Sequence, residues 1–589
     1  MSKVLLASIA SRKALPLSSS LRNHGFSVYG VAHSIHPNVF SKFFEKKTVV
    51  KNPRSGLPWA NTIAKIAKEW EADLVIPVDF IDVLTFAKWK NLFEKTEVTL
   101  VAPRFESIEL ASNKEKLPDL LRELGKTPKQ ITVARSNDIA KLVDLEPPLV
   151  VKGLGDAAKP EYFPTMELAT RRATERAPCL VQEYIPGIGR GYYAVAFNGE
   201  SILEFTHERI TEYDPAGGAS LSAKGPVLDP RLFKLGRGIV KLLKWSGPIM
   251  VETRFVADTG EYFVVELNPK FWGSLDLPVS LGYHFPAILA KAYMEGVESA
   301  KKAAAGLRVR NGKYYWVLDG IRYLAKIPSV WGHMLTGVAH RGYCDVDLSD
   351  TVRVTAQFIW ALKRLQREKK SWISSIVSDI NKLRWWAHSA MRAGVREIVF
   401  DLDGTLVSLP VDWRTVRAIL QKKNLAKPWE GVTEALRRLW ITDKEKYEVA
   451  SSVVEENELK AIKAAKPLVK PSVFNNLPLE IKVATLQTSR SAKEILRKTG
   501  FTKLCEHIIG RDDDVGPYKE AMFLNICKEG AIVVEDNLRN AVCAKRSGRL
   551  PVLVTNNVYA QVKALRLGFP AIQHTDLPHL LTLLSSYKR

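Results

Sequence analysis

Residues 400–407 read Phe-Asp-Leu-Asp-Gly-Thr-Leu-Val and complete an apolar run that begins at Val395. The run predicts a buried strand, with Asp401 and Asp403 directly at its end. Because side chains alternate along an extended chain, the two carboxylates share one side, at the sheet edge where α/β proteins bind ligands. Two carboxylates this close repel each other and are stabilised by a shared hard cation. This stretch therefore predicts a magnesium site at the carboxyl end of a parallel strand.

Three later segments carry groups that a phosphate-handling magnesium site uses. One predicted strand ends at Thr488 and Ser489, whose hydroxyls are expected to hold phosphate oxygens. Lys519 follows an acidic run and is expected to neutralise a phosphate opposite the metal. A further apolar strand ends at Glu535 and Asp536, whose carboxylates suit the oxygen shell of Mg²⁺.

These four segments, in this order, resemble the haloacid dehalogenase superfamily over about residues 395–589. The resemblance implies a Rossmannoid α/β domain with a helical cap at about residues 411–480. It also implies a phosphohydrolase that depends on Mg²⁺, with Mn²⁺ as an alternative ion. Asp401 would be the phosphorylated nucleophile and Asp403 the general acid and base. The implied metal ligands are Asp401, Asp403 and Asp536, and the implied phosphate-binding residues are Thr488, Ser489 and Lys519.

The first 110 residues alternate short apolar runs with helix-like segments. Residues 3–8, 26–31 and 73–78 are predicted strands, and residues 11–22 are a predicted helix. This alternation predicts a parallel sheet wound in βαβ units, as in a Rossmann-like domain. The first turn lacks a Gly-x-Gly-x-x-Gly motif and no acid ends the second strand, so the pattern does not indicate a dinucleotide site.

A second set of charged residues lies in the middle region. A short apolar strand ends at Lys152, and the glycines after it let the backbone approach a phosphate closely. The predicted strand at residues 180–183 leads into a turn whose backbone can read an adenine edge. Two strands predicted to form a hairpin carry Glu252 on the first and Glu266 and Asn268 on the second. Pairing places these oxygen ligands together, which suits a Mg²⁺ that carries nucleotide phosphates.

These residues resemble the ATP-grasp superfamily over most of residues 1–300. Residues 266–276, Glu-Leu-Asn-Pro-Lys-Phe-Trp-Gly-Ser-Leu-Asp, are similar to its carboxylate–amine ligase branch, which is related to carbamoyl-phosphate synthase. The resemblance implies a Rossmann-like pre-ATP-grasp domain at 1–110, an α+β ATP-grasp domain at 111–300 and an extension at 301–360. It implies ATP at Lys114, Lys152, Gln182, Glu183, Tyr184 and Ile185, Mg²⁺ at Glu252, Glu266 and Asn268, and an acyl phosphate beside Arg254 or Arg209.

The chain is strongly basic, since 86 Lys and Arg against 63 Asp and Glu give a net charge of +23 over 589 residues. Such an excess attracts nucleic acid, anionic lipid or phosphorylated ligands. Residues 361–394 are predicted to form a basic amphipathic helical linker that contains Trp372, Trp385 and Trp386. Two interpretations stay open: weak contact of residues 361–396 with nucleic acid or an anionic membrane, or packing of the tryptophans between domains.

The composition excludes several classes of protein. With 46% hydrophobic and 25% charged residues, the chain is typical of folded rather than disordered proteins. It contains no stretch of about 18 uncharged apolar residues, so no membrane span is predicted. The five cysteines are scattered without a Cys-x-x-Cys pair, which argues against a disulfide framework or a zinc knuckle and predicts a cytoplasmic location.

The whole sequence therefore predicts an α/β multidomain, bifunctional enzyme. An ATP-dependent ligase would activate a small-molecule carboxylate as an acyl phosphate, which an amine or similar nucleophile then captures. The fused phosphohydrolase would act on a phosphorylated small molecule. Two alternatives are a kinase-like ATP-grasp module opposed by the phosphatase, and a basic nucleic-acid or membrane adaptor with vestigial folds.

Overall fold

The computed structural model describes residues 1–51, 54–155, 160–214, 217–257, 259–321, 334–335, 337–339, 343–368, 379–475 and 477–585. Within these ranges no helix has both the length and the apolar character that a membrane crossing needs. The described residues form five β-sheets, and three of these position the candidate sites.

The amino-terminal unit contains a parallel five-stranded sheet. Its strands are β1 (Lys3–Ala7), β2 (Ser27–Ala32), β3 (Lys46–Val49), β4 (Leu74–Pro77) and β5 (Thr99–Leu100), and its helices are α1 (Ala14–Asn23), α2 (Gly56–Glu69), α3 (Phe80–Lys88), α4 (Lys90–Glu94) and α5 (Phe105–Ser112). The strand order is β3-β2-β1-β4-β5. Alternate side chains of β1 point to opposite faces, so Val4 and Leu6 pack with α1 while Leu5 packs with α2. The predicted βαβ sheet is confirmed.

The next region contains two mainly antiparallel β-sheets that face each other across a cavity. A four-stranded sheet has the order β6-β9-β7-β8, with β6 (Gln130–Val133), β7 (Leu149–Gly153), β8 (Glu161–Phe163) and β9 (Cys179–Glu183). Helices α6 (Leu117–Leu120) and α7 (Met166–Arg176) belong to this part. Val151 and Val181 of the paired β7 and β9 pack with Ala169 and Ala173 of α7, which fixes the strand end that carries Lys152.

A seven-stranded sheet forms the other wall. Its strands are β10 (Ile188–Phe197), β11 (Glu200–Asp214), β12 (Gly217–Gly225), β13 (Gly247–Val256), β14 (Glu261–Asn268), β15 (Gly312–Tyr315) and β16 (Tyr343–Cys344), in the order β14-β13-β10-β11-β12-β15-β16. Its helices are α8 (Pro230–Leu242), α9 (Asp276–Ser280), α10 (Phe285–Met294), α11 (Val297–Ala305) and α12 (Val317–Gly320). Strands β15 and β16 come from the predicted extension at 301–360, which therefore continues the sheet instead of forming a separate element.

The segment predicted as a linker is divided between two units. Helix α13 (Thr351–Glu368) packs against the 3₁₀ turn Pro37–Phe40 of the amino-terminal unit. Residues 369–378, with Trp372, and the side chain of Trp385 lie outside the described part of the chain. Helix α14 (Asp379–Arg392) buries one apolar face in the core of the carboxyl-terminal unit, and Trp386 packs against that core. A basic helix can carry one apolar face, and α14 packs with it on the unit that follows, while the boundary at residue 395 stays a prediction.

The carboxyl-terminal unit contains a parallel six-stranded sheet. Its strands are β17 (Glu397–Phe400), β20 (Glu480–Ala484), β21 (Ile508–Ile509), β22 (Ile532–Glu535), β23 (Leu550–Val554) and β24 (Ala571–Ile572), in the order β21-β20-β17-β22-β23-β24. A short pair, β18 (Val407–Ser408) and β19 (Lys466–Pro467), flanks an insertion formed by α15 (Trp413–Lys422), α16 (Val432–Thr442) and α17 (Lys444–Ala461), which has a small core of its own. The later helices are α18 (Ser489–Lys498), α19 (Lys519–Ile526), α20 (Leu538–Arg546), α21 (Val558–Arg566) and α22 (Leu577–Ser585).

Candidate functional site

A cavity of about 350 Å³ is lined by both the four-stranded and the seven-stranded sheet, and we call it the amino-terminal cavity. All the residues that the sequence assigned to nucleotide, metal and acyl phosphate in this half line it: Lys114, Lys152, Gln182, Glu183, Tyr184, Ile185, Arg209, Glu252, Arg254, Glu266 and Asn268. These residues span more than 150 positions of the sequence, so it is the fold that brings them together.

The predicted acid pair lies on the two strands of a hairpin. In the antiparallel register of β13 and β14, Glu252 is directly opposite Glu266, and Asn268 is opposite Met250. Directly opposite residues project from the same face of a sheet, so the two carboxylates are neighbours. Arg209 contacts Glu252 at 2.8 Å and Lys114 contacts Glu266 at 3.1 Å. The predicted hairpin pairing is confirmed, and cations balance both acids.

Lys152 lies at the end of β7 beside the hairpin. Its Nζ donates to the side-chain oxygen of Gln182 at 2.8 Å, and the amide of Gln182 donates to Gln130 at 2.9 Å. Burial lowers the pKa of Lys152 to about 8. A buried ammonium whose nearest hydrogen-bond partner is a neutral amide is suited to an incoming anion.

The segment at the end of β9 shapes the cavity more through its backbone than through its side chains. The carboxylate of Glu183 accepts the N–H of Glu146 at 3.1 Å, and Tyr184 N–H donates to the carbonyl of Pro148 at 2.9 Å. Ile185 is almost fully buried at the cavity wall. The Glu183 side chain therefore fixes a neighbouring loop, while the rest of the segment forms an apolar wall of the cavity.

A buried carboxylate that sequence reasoning missed ties the two predicted arginines together. Glu212 accepts two hydrogen bonds from Arg254, both at 2.9 Å, and one from Arg209 at 3.0 Å. Although burial favours the neutral acid, these guanidinium groups lower the pKa of Glu212 to about 2. Glu212 lies within a long strand of mixed polarity, and no sequence motif marks it. It holds both arginines at the cavity in fixed orientations.

A second cavity of about 540 Å³ adjoins the first, and Arg12, Ala219 and Gly273 line both. Arg12 forms an ion pair with Asp319 at 2.8 Å and stacks over the ring of Trp316. The wall also carries Asp276 and Asp345, and burial together with Asp319 raises the pKa of Asp345 to about 7. No local sequence pattern marks this cavity, because its residues come from segments far apart in the chain.

In the carboxyl-terminal unit, Asp401 and Lys519 form the centre of another site. Lys519 Nζ lies 2.5 Å from Asp401 and 2.8 Å from Glu535, and it donates to the carbonyl of Ala484 at 2.6 Å. The lysine is at the start of α19 and is 2% exposed, so its charge acts in a medium with little water. Sequence reasoning placed Lys519 near a phosphate but missed its contact with Glu535.

Three carboxylates converge around this lysine. One carboxylate oxygen from each of Asp401, Glu535 and Asp536 lies within 4.8 Å of the other two. Burial and mutual repulsion raise the pKa of Glu535 and of Asp536. One ammonium does not balance three carboxylates, so the donor set fits a divalent cation with oxygen ligands. The cluster contains Asp401 and Asp536, and with them Glu535, which the sequence placed at the end of the same strand.

Asp403 has different surroundings from Asp401. Its carboxylate accepts the N–H of Leu409 at 2.9 Å, and it lines the same cavity of about 160 Å³. Burial and the nearby Asp401 raise the pKa of Asp403 to about 6. A carboxyl group with this pKa can hold and release a proton near neutral pH, which a general acid requires.

Gly404 makes the sharp turn after these acids. It has φ +86°, and a Cβ atom there would overlap the carboxylate of Asp536. Its carbonyl oxygen lies 2.7 Å from Nε2 of His574. The glycine therefore lets the loop pass directly beside a candidate metal ligand.

Thr488 and Ser489 are not brought to this site. Thr488 caps α18, where its hydroxyl donates to Glu455 at 2.6 Å and accepts from the N–H of Ser491, while Ser489 donates to Asp513 at 3.0 Å. Neither lines the cavity beside Asp401. Their role as phosphate ligands stays a prediction. Strand β20 ends at Ala484, four residues earlier than expected, and the buried hydroxyl of Thr485 directly after it donates to Gln487.

The helical insertion supplies the other wall of this cavity. Trp413, Thr433 and Leu436 line it, together with Glu458 and Arg511. Arg511 and Glu458 form an ion pair of 2.7 Å in which each side chain is 1% exposed. The pair fixes the insertion over the sheet.

No family model matches this chain, and no curated protein sequence does either. Among solved structures, N5-carboxyaminoimidazole synthetase from Staphylococcus aureus is 12% identical over 56% of this chain and 86% of that chain, with a TM-score of 0.44. The L-amino acid ligase from Bacillus licheniformis is 17% identical over 54% of this chain and 80% of that chain, with a TM-score of 0.42. The biotin carboxylase domain of 2-oxoglutarate carboxylase from Hydrogenobacter thermophilus, solved with MgADP, is 16% identical over 52% of this chain and 70% of that chain, with a TM-score of 0.40. At these values the activity has to be argued from the residues of this chain.

Proposed function

We propose that this chain is a bifunctional enzyme in which an ATP-dependent ligase of the ATP-grasp type is joined to a Mg²⁺-dependent phosphohydrolase of the haloacid dehalogenase type. The observation that carries the proposal is that clustered carboxylates meet buried lysines at two separate places. Lys114 contacts Glu266 in the first, and Lys519 contacts Asp401 in the second. Enzymes that transfer phosphoryl groups need such charges, because the negative charge of phosphate must be neutralised in the transition state.

The amino-terminal cavity is proposed to bind ATP. Lys114 and Lys152 supply positive charge for its phosphates, and the apolar wall after β9 suits a flat base. Glu252, Glu266 and Asn268 are proposed to hold Mg²⁺, which when bound screens the charge between nucleotide phosphates. The opposite placement of Glu252 and Glu266 supports this assignment.

The ligase reaction is proposed to run through an acyl phosphate. A substrate carboxylate attacks the γ-phosphorus of ATP, the bond to the bridging oxygen breaks, and ADP leaves. An amine then attacks the acyl carbon, loses a proton, and inorganic phosphate leaves. Arg209 and Arg254, held in place by Glu212, are proposed to stabilise the acyl phosphate. The second cavity is proposed to hold the carboxylate and the amine, since guanidinium and carboxylate groups both line it.

The phosphohydrolase reaction is proposed to use two carboxylates. Asp401 attacks the phosphorus of a phosphate ester, and the ester oxygen leaves with a proton from Asp403. Water then gives a proton to Asp403 and attacks the phosphorus, which releases phosphate and regenerates Asp401. Lys519, 2.5 Å from Asp401, offsets the charge that builds up on the phosphoryl oxygens.

The experiment that tests the proposal incubates the full chain with ATP, Mg²⁺ and a metabolite extract and follows masses with time. We expect a carboxylate and an amine to disappear together with ATP and an amide to form. Glu261→Gln, at the far end of the same strand as Glu266, serves as a matched control for Glu266→Gln. A phosphorylated product with no new amide would contradict the ligase and support the kinase-like alternative.

A further inference from the structure

A third space lies between the amino-terminal and carboxyl-terminal units. It has a volume of about 220 Å³, and we call it the interdomain cavity. The amino-terminal unit contributes Tyr184, Arg209 and Glu212 to its wall, and the carboxyl-terminal unit contributes Asn537, Arg539 and Lys563. Neither unit forms this cavity alone.

The interdomain cavity adjoins both candidate sites. Tyr184 and Arg209 also line the amino-terminal cavity. Asn537 also lines the cavity beside Asp401, and it follows the candidate metal ligand Asp536 directly in the chain. The three spaces therefore form a row, with the interdomain cavity in the middle.

The contact between the units is a packed interface. Val150 and Tyr184 form one apolar cluster with residues of the carboxyl-terminal unit, among them Val542 and Leu567. Arg546 of α20 donates to the carbonyl of Tyr184. On another part of the interface, Arg231 and Glu434 form an ion pair of 2.8 Å. The walls of the interdomain cavity are thus held in place by both apolar and polar contacts.

The wall of this cavity carries excess positive charge. Glu212 is its one acid and already accepts hydrogen bonds from Arg209 and Arg254. Among the described residues, Nη1 of Arg539 is buried with no hydrogen-bond partner, and Lys563 is close enough to Glu212 for its charge to lower the pKa of that acid. A buried guanidinium N–H without an acceptor costs stability, and an anion that fills the site removes this cost.

We infer that the interdomain cavity is a phosphoryl-binding site that links the two active sites, and that Arg539 and Lys563 hold the phosphate group of an anionic small molecule between them. The inference rests on the proposed function, since a shared phosphorylated compound gives such a site its role. Arg539 lies in the first turn of α20, one turn beyond Asp536, so a phosphate held there is close to the phosphohydrolase site. Arginine suits this position because its planar group can bind two phosphate oxygens at once.

The test measures binding of inorganic phosphate to the full chain by calorimetry, with adenylyl imidodiphosphate and Mg²⁺ at saturation so that the amino-terminal cavity is occupied. The double variant Arg539→Ala/Lys563→Ala is expected to bind one phosphate fewer than the unmodified chain, or to bind it at least tenfold more weakly. Arg497→Ala/Lys528→Ala, an exposed arginine and an exposed lysine of the same unit, is the charge-matched control and is expected to bind phosphate as before. Equal binding in the double variant and the control would overturn the inference.

A second variant shows whether a loss of phosphate binding comes from misfolding of the chain. Arg539→Lys keeps the charge and is expected to retain at least part of the phosphate binding, with an unchanged thermal transition. If both Arg539 variants bind phosphate like the unmodified chain, the site is not at Arg539 and the inference is wrong. Nucleotide binding and hydrolysis of p-nitrophenyl phosphate are measured on the unmodified chain, so failure of the proposed function is seen there, independently of these variants.

Discussion

Lys519 Nζ lies 2.5 Å from a carboxylate oxygen of Asp401, although the two residues are 118 positions apart in the chain. The lysine is at the start of a helix and the aspartate follows the central strand of the parallel sheet. Glu535 lies on the other side of the same ammonium group at 2.8 Å. Lys519 therefore links Asp401 and Glu535, which lie at the ends of two strands, through a single buried ammonium group.

Replacement of Lys519 by methionine is expected to destabilise the carboxyl-terminal unit. The change leaves buried carboxylates without their cation, and such losses cost about 3–5 kcal/mol. Urea denaturation without Mg²⁺ measures this free energy of unfolding, and added Mg²⁺ is expected to restore part of it. Lys528→Met, at an exposed site, is expected to change it by no more than about 0.5 kcal/mol. Equal losses in the two variants would contradict the account of the buried pair.

Gly404→Ala is expected to impair hydrolysis of p-nitrophenyl phosphate by more than tenfold and to weaken its dependence on Mg²⁺. The new Cβ atom meets the carboxylate of Asp536, so this candidate ligand must move. Gly394→Ala is the matched control, because Gly394 has φ +82° with open space around it. Both variants carry the left-handed backbone cost of about 1–2 kcal/mol. If Gly394→Ala loses as much activity as Gly404→Ala, the contact with Asp536 is not the cause.

Nucleotide binding is expected to take up protons between about pH 8 and pH 9. The pKa of Lys152 is about 8 in the folded chain, so much of the side chain is neutral in this range, and phosphates beside it raise its pKa again. ATP affinity therefore falls as the pH rises through 8. Calorimetry in two buffers of different ionisation enthalpy measures the proton uptake. Lys152→Met is expected to abolish it, and uptake that persists in this variant would assign the proton to another group.

A fragment that begins at residue 379 is expected to fold, and one that begins at residue 395 is not. Helix α14 buries Leu383, Ala387, Ala390 and Met391 in the core of the carboxyl-terminal unit. Burial contributes roughly 1.5–3 kcal/mol for each of Leu383 and Met391 and about 0.8 kcal/mol for each alanine methyl, and the sum of about 5–8 kcal/mol is as large as the whole stability of a marginal domain. Circular dichroism and thermal unfolding measure whether each of the two fragments folds and how stable it is. Equal stability would show that α14 is a linker after all.

The elements that the sequence predicted correctly are those coded by local patterns. The βαβ alternation of the first 110 residues predicted the parallel sheet, and the turn between two apolar runs predicted the hairpin that places Glu252 opposite Glu266. Asp401 and Asp403, whose roles stay predictions, line one cavity at the end of their strand. In each case the decisive residues are neighbours in the chain or lie on adjacent strands.

The features that the sequence did not predict depend on contacts between distant segments. Glu212 lies within a strand, and only the folded chain shows which arginines it meets. The sequence indicated Glu535 as an oxygen ligand but not its contact with Lys519. Strand β20 ends earlier than expected, at Ala484, because the end of a strand is set by its pairing partners, which the local pattern does not contain. The amphipathic pattern of α14 was predicted, but the core that its apolar face meets is built from distant segments of the chain.

The central claim is that the chain holds two chemically separate sites, and a reciprocal pair of variants tests it most directly. ATP turnover and p-nitrophenyl phosphate hydrolysis are measured side by side in Glu266→Gln and in Asp401→Asn, with Mg²⁺ present. We expect Glu266→Gln to lose ATP turnover and keep ester hydrolysis, and Asp401→Asn to do the reverse. If either variant loses both activities, or keeps the one assigned to it, the division into two sites is contradicted.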